Sequence, residues 1–272
     1  MADDNIEPDQ ASFDKGYSED ANQVNQDDLI LQQSKNIEKE ISDSIMLVGD
    51  KEDIMVLEQQ YIGDEVYKGK VKDLARKYSN LRRTRPDGNC FFRSFGFALL
   101  ESLYHNKSNY ESFRLIAEKS KDKLLELGFQ KFTLEDFHDQ FMEVVNLISK
   151  PETNEDTLVE VFNNKDYSDY VVVYLRLIAS GQLQQDADFY QNFIEGNRTV
   201  FEFCRQEVEP MFKESDHIHI IALSTALDVG VRVRYMDRGD STEAIAHDFP
   251  EDKPPQIHLL YRPGHYDILY PL

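Results

Sequence analysis

The sequence predicts an α+β fold that is rich in helix and has a small, largely antiparallel sheet in its C-terminal part. Residues 108–228 show one helical apolar pattern after another. Residues 231–235 instead alternate apolar and charged side chains, as a half-exposed strand does. Two further strands are predicted over 256–261 and 265–270. Arg262-Pro263-Gly264 between them is typical of a hairpin turn.

The composition is strongly acidic. The 272 residues include 51 Asp and Glu against 30 Lys and Arg, which gives a formal net charge of -21. Such a chain repels phosphate groups, so neither nucleic acid nor an anionic membrane is expected as a partner. Two cysteines are too few for a disulfide framework or a Cys-rich zinc site, and no metal or other cofactor is expected. With no signal-like N-terminus and no long apolar stretch, the sequence favours a cytoplasmic or nuclear protein.

The N-terminal part differs from the rest of the chain. Residues 1–26 are predicted to be a disordered acidic tail, because residues 1–28 carry nine acidic side chains and one lysine. Residues 27–45 predict an amphipathic helix that begins at an aspartate. Its apolar face consists of Ile30, Ile37, Ile41 and Ile45. Docking of this helix on its own domain is favoured over docking on a partner, and residues 46–272 are predicted to form that domain.

Helices are predicted throughout the chain between this segment and the C-terminal sheet. They cover 51–61, 64–79, 90–100, a segment that begins at the capping sequence Thr133-Leu134-Glu135-Asp136, 166–177 and 200–212. A break is expected at Arg85-Pro86-Asp87-Gly88-Asn89, because a residue before proline avoids the helical region and Asp-Gly-Asn favours a turn. The last helix is expected to end at Gly230 as its C-cap.

Cys90 is the candidate nucleophile of the sequence. It lies where this loop meets a helix, and unpaired amides at a helix N-terminus favour a thiolate. The amides from Asp87 to Cys90, with Gly88 allowing a close approach, could also hold an oxyanion. Most cysteines are small buried hydrophobes, and from position alone that alternative is equally open. Cys204 lies mid-helix between aromatic residues and is assigned to packing.

His265 is the candidate base for this nucleophile. Asp267 is two residues further along the predicted strand, so both side chains share a face and the carboxylate can orient the imidazole. Considered without Cys90 and Asp267, His265 could equally well be a surface histidine at the end of a strand. The other histidines are assigned elsewhere: His258 to the core, His105, His138 and His247 to the surface, and His217 and His219 to a helix start where they do not form a metal pair.

Two motifs resemble a known family. The segments Asp87–Ser94 and Arg262–Asp267 are similar to the nucleophile and histidine motifs of the ovarian-tumour (OTU) cysteine deubiquitinases, and of their otubain subfamily in particular. The similarity covers nearly everything after residue 27, including Tyr170–Leu177 and Glu214–Ile221. The resemblance implies an OTU-type cysteine-protease fold for 46–272. Its implied catalytic residues are Cys90 as nucleophile, His265 as base, Asp267 as the residue that orients it, and Asp87, with Gly88 and Asn89, in the oxyanion loop.

The resemblance also implies an activity. It indicates a ubiquitin-specific thiol hydrolase, an isopeptidase that removes ubiquitin from polyubiquitin chains and prefers the linkage that marks proteins for the proteasome. Ubiquitin, its chains and ubiquitin-conjugating enzymes are the implied partners, with Ile30, Ile37 and Ile41 as a candidate contact. The alternative is a non-catalytic inhibitor that binds conjugating enzymes through the N-terminal helix and domain surface. A papain-like peptidase is disfavoured, because the motif of that family is absent around Cys90.

Overall fold

The sheet combines strands from both ends of the described chain. The computed structural model describes Gln33 and residues 44–272, and Ile45–Leu272 form one compact unit. The strands are β1 Val48–Asp53, β2 Tyr78–Thr84, β3 Val231–Tyr235, β4 Ile245–Phe249, β5 Ile257–Arg262 and β6 His265–Pro271. They are ordered β1-β2-β6-β5-β3-β4, with β3 and β5 parallel and the other pairs antiparallel. The predicted fold class is confirmed.

Most of the described chain is helical. The α-helices are α1 Glu65–Ala75, α2 Cys90–His105, α3 Tyr110–Glu126, α4 Lys131–Leu147, α5 Glu155–Asn163, α6 Lys165–Gln185, α7 Ala187–Tyr190, α8 Val200–Phe203 and α9 His217–Leu227. Short 3-10 helices cover Ile54–Tyr61, Lys107–Asn109 and Gln191–Phe193, and a π-helical turn, Cys204–Val208, continues α8. No described helix is long and apolar enough to cross a membrane. The predicted acidic tail and the helix of residues 27–45 lie outside the described residues, except for Gln33, Ser44 and Ile45.

Strands β1 and β2 replace parts of the helices predicted over 51–61 and 64–79, where that prediction is wrong. Pairing decides the outcome, because β2 lies between β1 and β6 in the sheet. Arg82 hid the apolar alternation of β2, because its charge suggested an exposed loop after the predicted helix. The side chain is in fact buried, and its Nε donates to the Tyr270 hydroxyl at 2.9 Å. A buried, paired arginine thus occupies an inward strand position that alternation alone assigns to an apolar residue.

Three predicted helix ends are also corrected. Helix α4 begins at Lys131 and not at the capping sequence Thr133–Asp136. The helix expected over 200–212 ends at Val208, and Phe212 has a φ of +64°, which a right-handed helix excludes. Helix α9 ends at Leu227, and its C-cap is Asp228, with a left-handed φ of 54°, rather than the predicted Gly230.

Helix α2 lies at the centre of the main core. Nearly all of its residues are buried, and it packs against β5 and β6 on one side and against α6 on another. Gly96 allows the close approach of α6, since a Cβ there would lie 3.1 Å from Cδ1 of Leu175. This packing sets the first residue of α2, Cys90, near the first residue of β6, His265.

Candidate active site

The loop before α2 fixes the backbone around Cys90. Cys90 is the first helical residue and is 4% exposed. Gly88 has a φ of +74°, and a Cβ there would lie 2.4 Å from the carbonyl oxygen of Phe212. Only glycine therefore fits this position without moving the loop. The predicted junction of loop and helix is present at Cys90.

Two of the four amides expected to line an oxyanion site already have partners. The Asp87 N–H donates to the Arg85 carbonyl at 3.0 Å. The Asn89 N–H donates to Oδ1 of Asp87 at 2.9 Å. The expectation of a free Asp87 amide therefore does not hold in this structure. The amides of Gly88 and Cys90 are the two in this loop without a hydrogen-bond partner among residues 44–272.

The Asp87 side chain holds the loop rather than facing outward. Nη1 of Arg93, a fully buried residue one turn into α2, donates to both Asp87 carboxylate oxygens at 2.9 and 2.8 Å. Nη2 of Arg93 also lies 3.4 Å from Oδ1 of Asp169. The carboxylate of Asp87 thus accepts from the Asn89 amide and from a guanidinium. Through these bonds the Asp87 side chain fixes the conformation of its own loop.

His265 and Asp267 share one face of β6, as predicted. Nε2 of His265 donates to Oδ1 of Asp267 at 2.8 Å. An ionised carboxylate only accepts, so this bond places the proton on Nε2. The other nitrogen, Nδ1, is buried, and no hydrogen bond from a described residue reaches it. Nδ1 is therefore the nitrogen available to the Cys90 thiol.

Asp267 is fully buried and has two further partners. The Thr84 N–H at the end of β2 donates to Oδ1 at 3.0 Å, and Nη2 of Arg262 donates to Oδ2. Nη1 of Arg262 also donates to the Gln60 side chain at 2.8 Å. Arg262 was predicted to lie in a turn, and its contact with Asp267 was not predicted. Its position five residues before an aspartate across a two-residue hairpin was the available signal.

Charge interactions at the site favour a protonated imidazole. Burial alone would lower the pKa of His265, but the hydrogen bond to Asp267 and the interaction with Cys90 outweigh it and raise the pKa to about 9. For Asp267, an acid, burial alone would raise the pKa. The bond to His265, with the charge of Arg262, instead holds that pKa below its usual value. The arrangement suits an imidazolium beside a thiolate.

The remaining candidates fall outside this cluster. Cys204 is fully buried, and burial raises its pKa to about 12. His138 was assigned to the surface, but it is 6% exposed and packs edge-on to Tyr174, so that assignment is wrong. His105 and His247 are exposed, His258 is partly buried and contacts the Tyr78 hydroxyl, and His219 is buried while His217 is exposed. Ile30, Ile37 and Ile41 lie outside the described residues.

One group of possible metal ligands occurs among the described residues. Single ligand atoms of Glu101, His105 and Glu155 lie within 4.8 Å of one another. Nη2 of Arg82 lies 3.5 Å from the Glu101 carboxylate, which also accepts from the Tyr270 hydroxyl at 2.7 Å. These partners already offset the charge of the one buried ligand, so the group does not favour a cation.

The family assignment follows from sequence comparison. The family described as Peptidase C65 Otubain matches residues 40–271. The chain belongs to the otubain family. Membership makes it a cysteine peptidase and confirms the resemblance seen in the two motifs. Ubiquitin thioesterase OTUB1 of Homo sapiens is 50% identical over 254 residues, covering 93% of each chain, which agrees with the predicted resemblance to the otubain subfamily.

More distant relatives and solved structures agree with this assignment. Ubiquitin thioesterase OTUB2 of Homo sapiens is 37% identical, covering 84% of this chain and 96% of that relative. A solved h/ceOTUB1 complex with ubiquitin aldehyde and UBCH5B~Ub superposes with a TM-score of 0.85 at 33% identity, covering 91% of this otubain and 99% of that chain. A ceOTUB1 complex with ubiquitin aldehyde and UBC13~Ub gives 0.83 at 34% identity, covering 89% and 99%.

Proposed function

We propose that this otubain is a deubiquitinating enzyme, a thiol isopeptidase that removes ubiquitin from polyubiquitin chains. The observation that carries the proposal is the constellation of Cys90 at a helix N-terminus beside the hydrogen-bonded pair His265 and Asp267. Relatives that are ubiquitin thioesterases and solved relatives that hold ubiquitin aldehyde support the choice of substrate. A preference for the proteasome-targeting linkage is part of the proposal and rests on the family resemblance.

The first chemical step forms a thioester. The Cys90 thiolate attacks the carbonyl carbon of the isopeptide bond, and negative charge develops on its oxygen. The amides of Gly88 and Cys90 are the donors that we assign to this oxyanion, because they have no other partner among the described residues. Protonated His265 then donates its Nδ1 proton to the leaving lysine amine, and the carbon–nitrogen bond breaks.

The second step releases ubiquitin. Neutral His265 accepts a proton from water, which attacks the thioester carbonyl and displaces the Cys90 thiolate. Asp267 keeps the imidazole in one orientation and one tautomer throughout both steps, because it accepts from Nε2. Arg262 of β5 and the Thr84 amide of β2 donate hydrogen bonds to Asp267 in turn, so residues of two further strands fix the position of the base.

Reaction with ubiquitin that carries a C-terminal electrophile tests this proposal. We expect a covalent adduct with the wild-type protein and with Cys204→Ser, and none with Cys90→Ser. Cys204→Ser is the matched control, since both thiols are buried. An adduct that persists in Cys90→Ser would refute the nucleophile assignment. Absence of any adduct with the wild type would refute ubiquitin as the substrate.

A second function, inhibition of ubiquitin-conjugating enzymes by binding, is proposed on a separate observation. Solved relatives hold UBCH5B~Ub or UBC13~Ub together with ubiquitin aldehyde. The test adds Cys90→Ser protein to ubiquitin-chain assembly by a conjugating enzyme. Assembly should slow, and replacement of Ile30, Ile37 and Ile41 by alanine should restore it. Inhibition that survives this triple replacement would exclude the proposed helix contact.

A further inference from the structure

Arg176 of α6 is a fully buried cation whose hydrogen-bond acceptors are all neutral. Its Nη2 donates to the carbonyls of Gly88 and Lys213 at 2.9 and 2.7 Å and to Oδ1 of Asn89 at 3.0 Å. Its Nη1 donates to the Val208 carbonyl at 3.0 Å. No carboxylate among residues 44–272 lies within ion-pair distance of it. Its guanidinium therefore joins the nucleophile loop to the segment that follows the π-helical turn.

Arg93 shows how the same fold treats another fully buried guanidinium. Arg93 faces the carboxylates of Asp87 and Asp169, which offset its charge. Arg176 has no such partner, and burial lowers its pKa to about 10, although the charges of Asp87 and Cys90 oppose that shift. A buried charge without a counterion costs free energy, and a neutral donor would serve the carbonyls at a lower cost. The cost indicates a role for the charge itself.

The contacts of Arg176 converge on the residues before Cys90. Oδ1 of Asn89 accepts from Arg176 and also from the Phe212 N–H at 2.9 Å, which fixes the Asn89 side chain on both sides. The Gly88 carbonyl is held as well, so the peptide plane between the Gly88 and Cys90 amides has little freedom to rotate. The guanidinium also lies over the Phe92 ring, with its central carbon 4.5 Å from the ring centroid.

Two cations interact with Cys90, protonated His265 from β6 and Arg176 from α6. The other charged groups nearby are Arg93, which is paired with Asp87 and Asp169, Arg262, which is paired with Asp267, and Glu214, which lies beside Gly264. Arg176 is the cation among them that has no carboxylate partner among the described residues, so its charge can act on the nucleophile.

We propose that Arg176 is a positioning residue for the reaction at Cys90. Its guanidinium fork fixes the loop that presents the Gly88 and Cys90 amides, and its uncompensated charge favours the anionic forms, first the thiolate and then the oxyanion. The part that concerns turnover rests on the proposed function. The part that concerns the thiolate does not, because simple alkylation of Cys90 measures it without ubiquitin.

The test uses the full chain with Cys204→Ser, so that Cys90 is the one thiol present. The rate of alkylation by iodoacetamide is measured from pH 5 to pH 10 in this background and with Arg176→Gln or Arg176→Lys. At pH 6 we expect Arg176→Gln to react about tenfold more slowly, with the rise in rate moved to higher pH. Arg176→Lys keeps the charge and should retain the profile. An unchanged profile in Arg176→Gln would overturn the charge role.

Turnover of a ubiquitin substrate distinguishes the hydrogen-bonding role of the Arg176 guanidinium from the role of its charge. Arg176→Lys should lower kcat about tenfold and leave KM within about twofold, since a lysine cannot span four acceptors. Wild-type kcat in Arg176→Lys would overturn the positioning role, and this variant decides that role even if Arg176→Gln fails to fold. Lys70→Met is the matched control for a buried cation, because Lys70 is also fully buried and binds Asp237 and Gly239 away from this loop. It should destabilise the protein without moving the alkylation profile.

Discussion

The two cysteines share one core and differ in every feature that matters for chemistry. Both are buried, with exposures of 4% for Cys90 and 0% for Cys204, and both belong to the same apolar cluster. Cys204 continues a helix, its N–H donates to preceding carbonyls, and its thiol lies 3.8 Å from the Ser180 carbonyl. Burial raises its pKa to about 12, so the group stays a neutral thiol.

Cys90 is nearly as buried but begins a helix instead of continuing one. Its amide and that of Gly88 have no partner among the described residues. A histidine whose pKa is raised to about 9 lies beside it, and Asp267 holds that histidine. Burial alone therefore does not make a thiol inert. Free amides and a nearby imidazolium are what distinguish a nucleophile from a packing residue.

Asp267→Asn removes the carboxylate that orients His265, for which Cys204 has no equivalent, and it should lower activity more than any other change discussed below. An asparagine at this buried position no longer fixes the tautomer of His265 and leaves Arg262 without its carboxylate, so kcat should fall about 10²- to 10⁴-fold. Ubiquitin binding should be preserved. Steady-state kinetics and binding isotherms check both, with Asp248→Asn, which breaks a half-exposed pair with Arg232, as the control. Full activity in Asp267→Asn would mean that another group orients His265.

A pair of glycines near the two thiols separates loss of activity from loss of stability. In Gly88→Ala the new Cβ would lie 2.4 Å from backbone, at a φ of +74°, so the loop must move and kcat should fall about 10²-fold. In Gly181→Ala, next to the Ser180 that contacts Cys204, the new Cβ would lie 2.4 Å from a flexible leucine tip. That variant should lose about 1–3 kcal/mol of stability and keep its kcat. The reverse pattern would contradict the assignment of roles.

Local motifs made the candidate site predictable from sequence. The nucleophile, its loop and the His265–Asp267 pair lie in two short segments whose chemistry depends on neighbours in the chain. The groups that hold them come from elsewhere: the Thr84 amide from β2 and Arg176 from α6. Arg176 interrupts the apolar run Tyr170–Leu177, and a charge at an inward helical position was the one available signal.

The fold class was predictable because the longer amphipathic helices, such as α4, and the C-terminal hairpin show local apolar patterns in the sequence. Strands β1 and β2 were missed because pairing, of β1 with β2 and of β2 with the distant β6, makes them strands rather than local preference. The buried Arg82 hid the alternation of β2, just as Arg176 interrupts the apolar run of α6. In both places a charged residue inside the core has partners that are distant in sequence.

The pH dependence of the two regions should differ between pH 6 and pH 10. Since the pKa of His265 is raised from 6.5 to about 9, its protonated form persists through neutral pH and is lost above pH 9. The stabilisation from this raised pKa is fully present below pH 6.5 and disappears as the pH rises through 9. We expect kcat/KM to fall about tenfold per unit above pH 9. A fall in wild-type kcat/KM that begins below pH 8 would contradict the coupling of His265 to Asp267. In Cys90→Ser, by contrast, the remaining thiol of Cys204 should resist alkylation from pH 6 to pH 10.

Cys204→Ala should give the smallest effect and completes the comparison. Removing a buried sulphur leaves a small cavity, so the free energy of unfolding should fall by about 1–2 kcal/mol. The amides and charges around Cys90 are unaffected, and kcat and KM should stay within about twofold of wild type. Urea unfolding and steady-state kinetics on the same preparations measure the two quantities. A fall in kcat larger than the loss of folded protein explains would show that Cys204 is coupled to the site through Ser180 and α6, the helix that also carries Arg176.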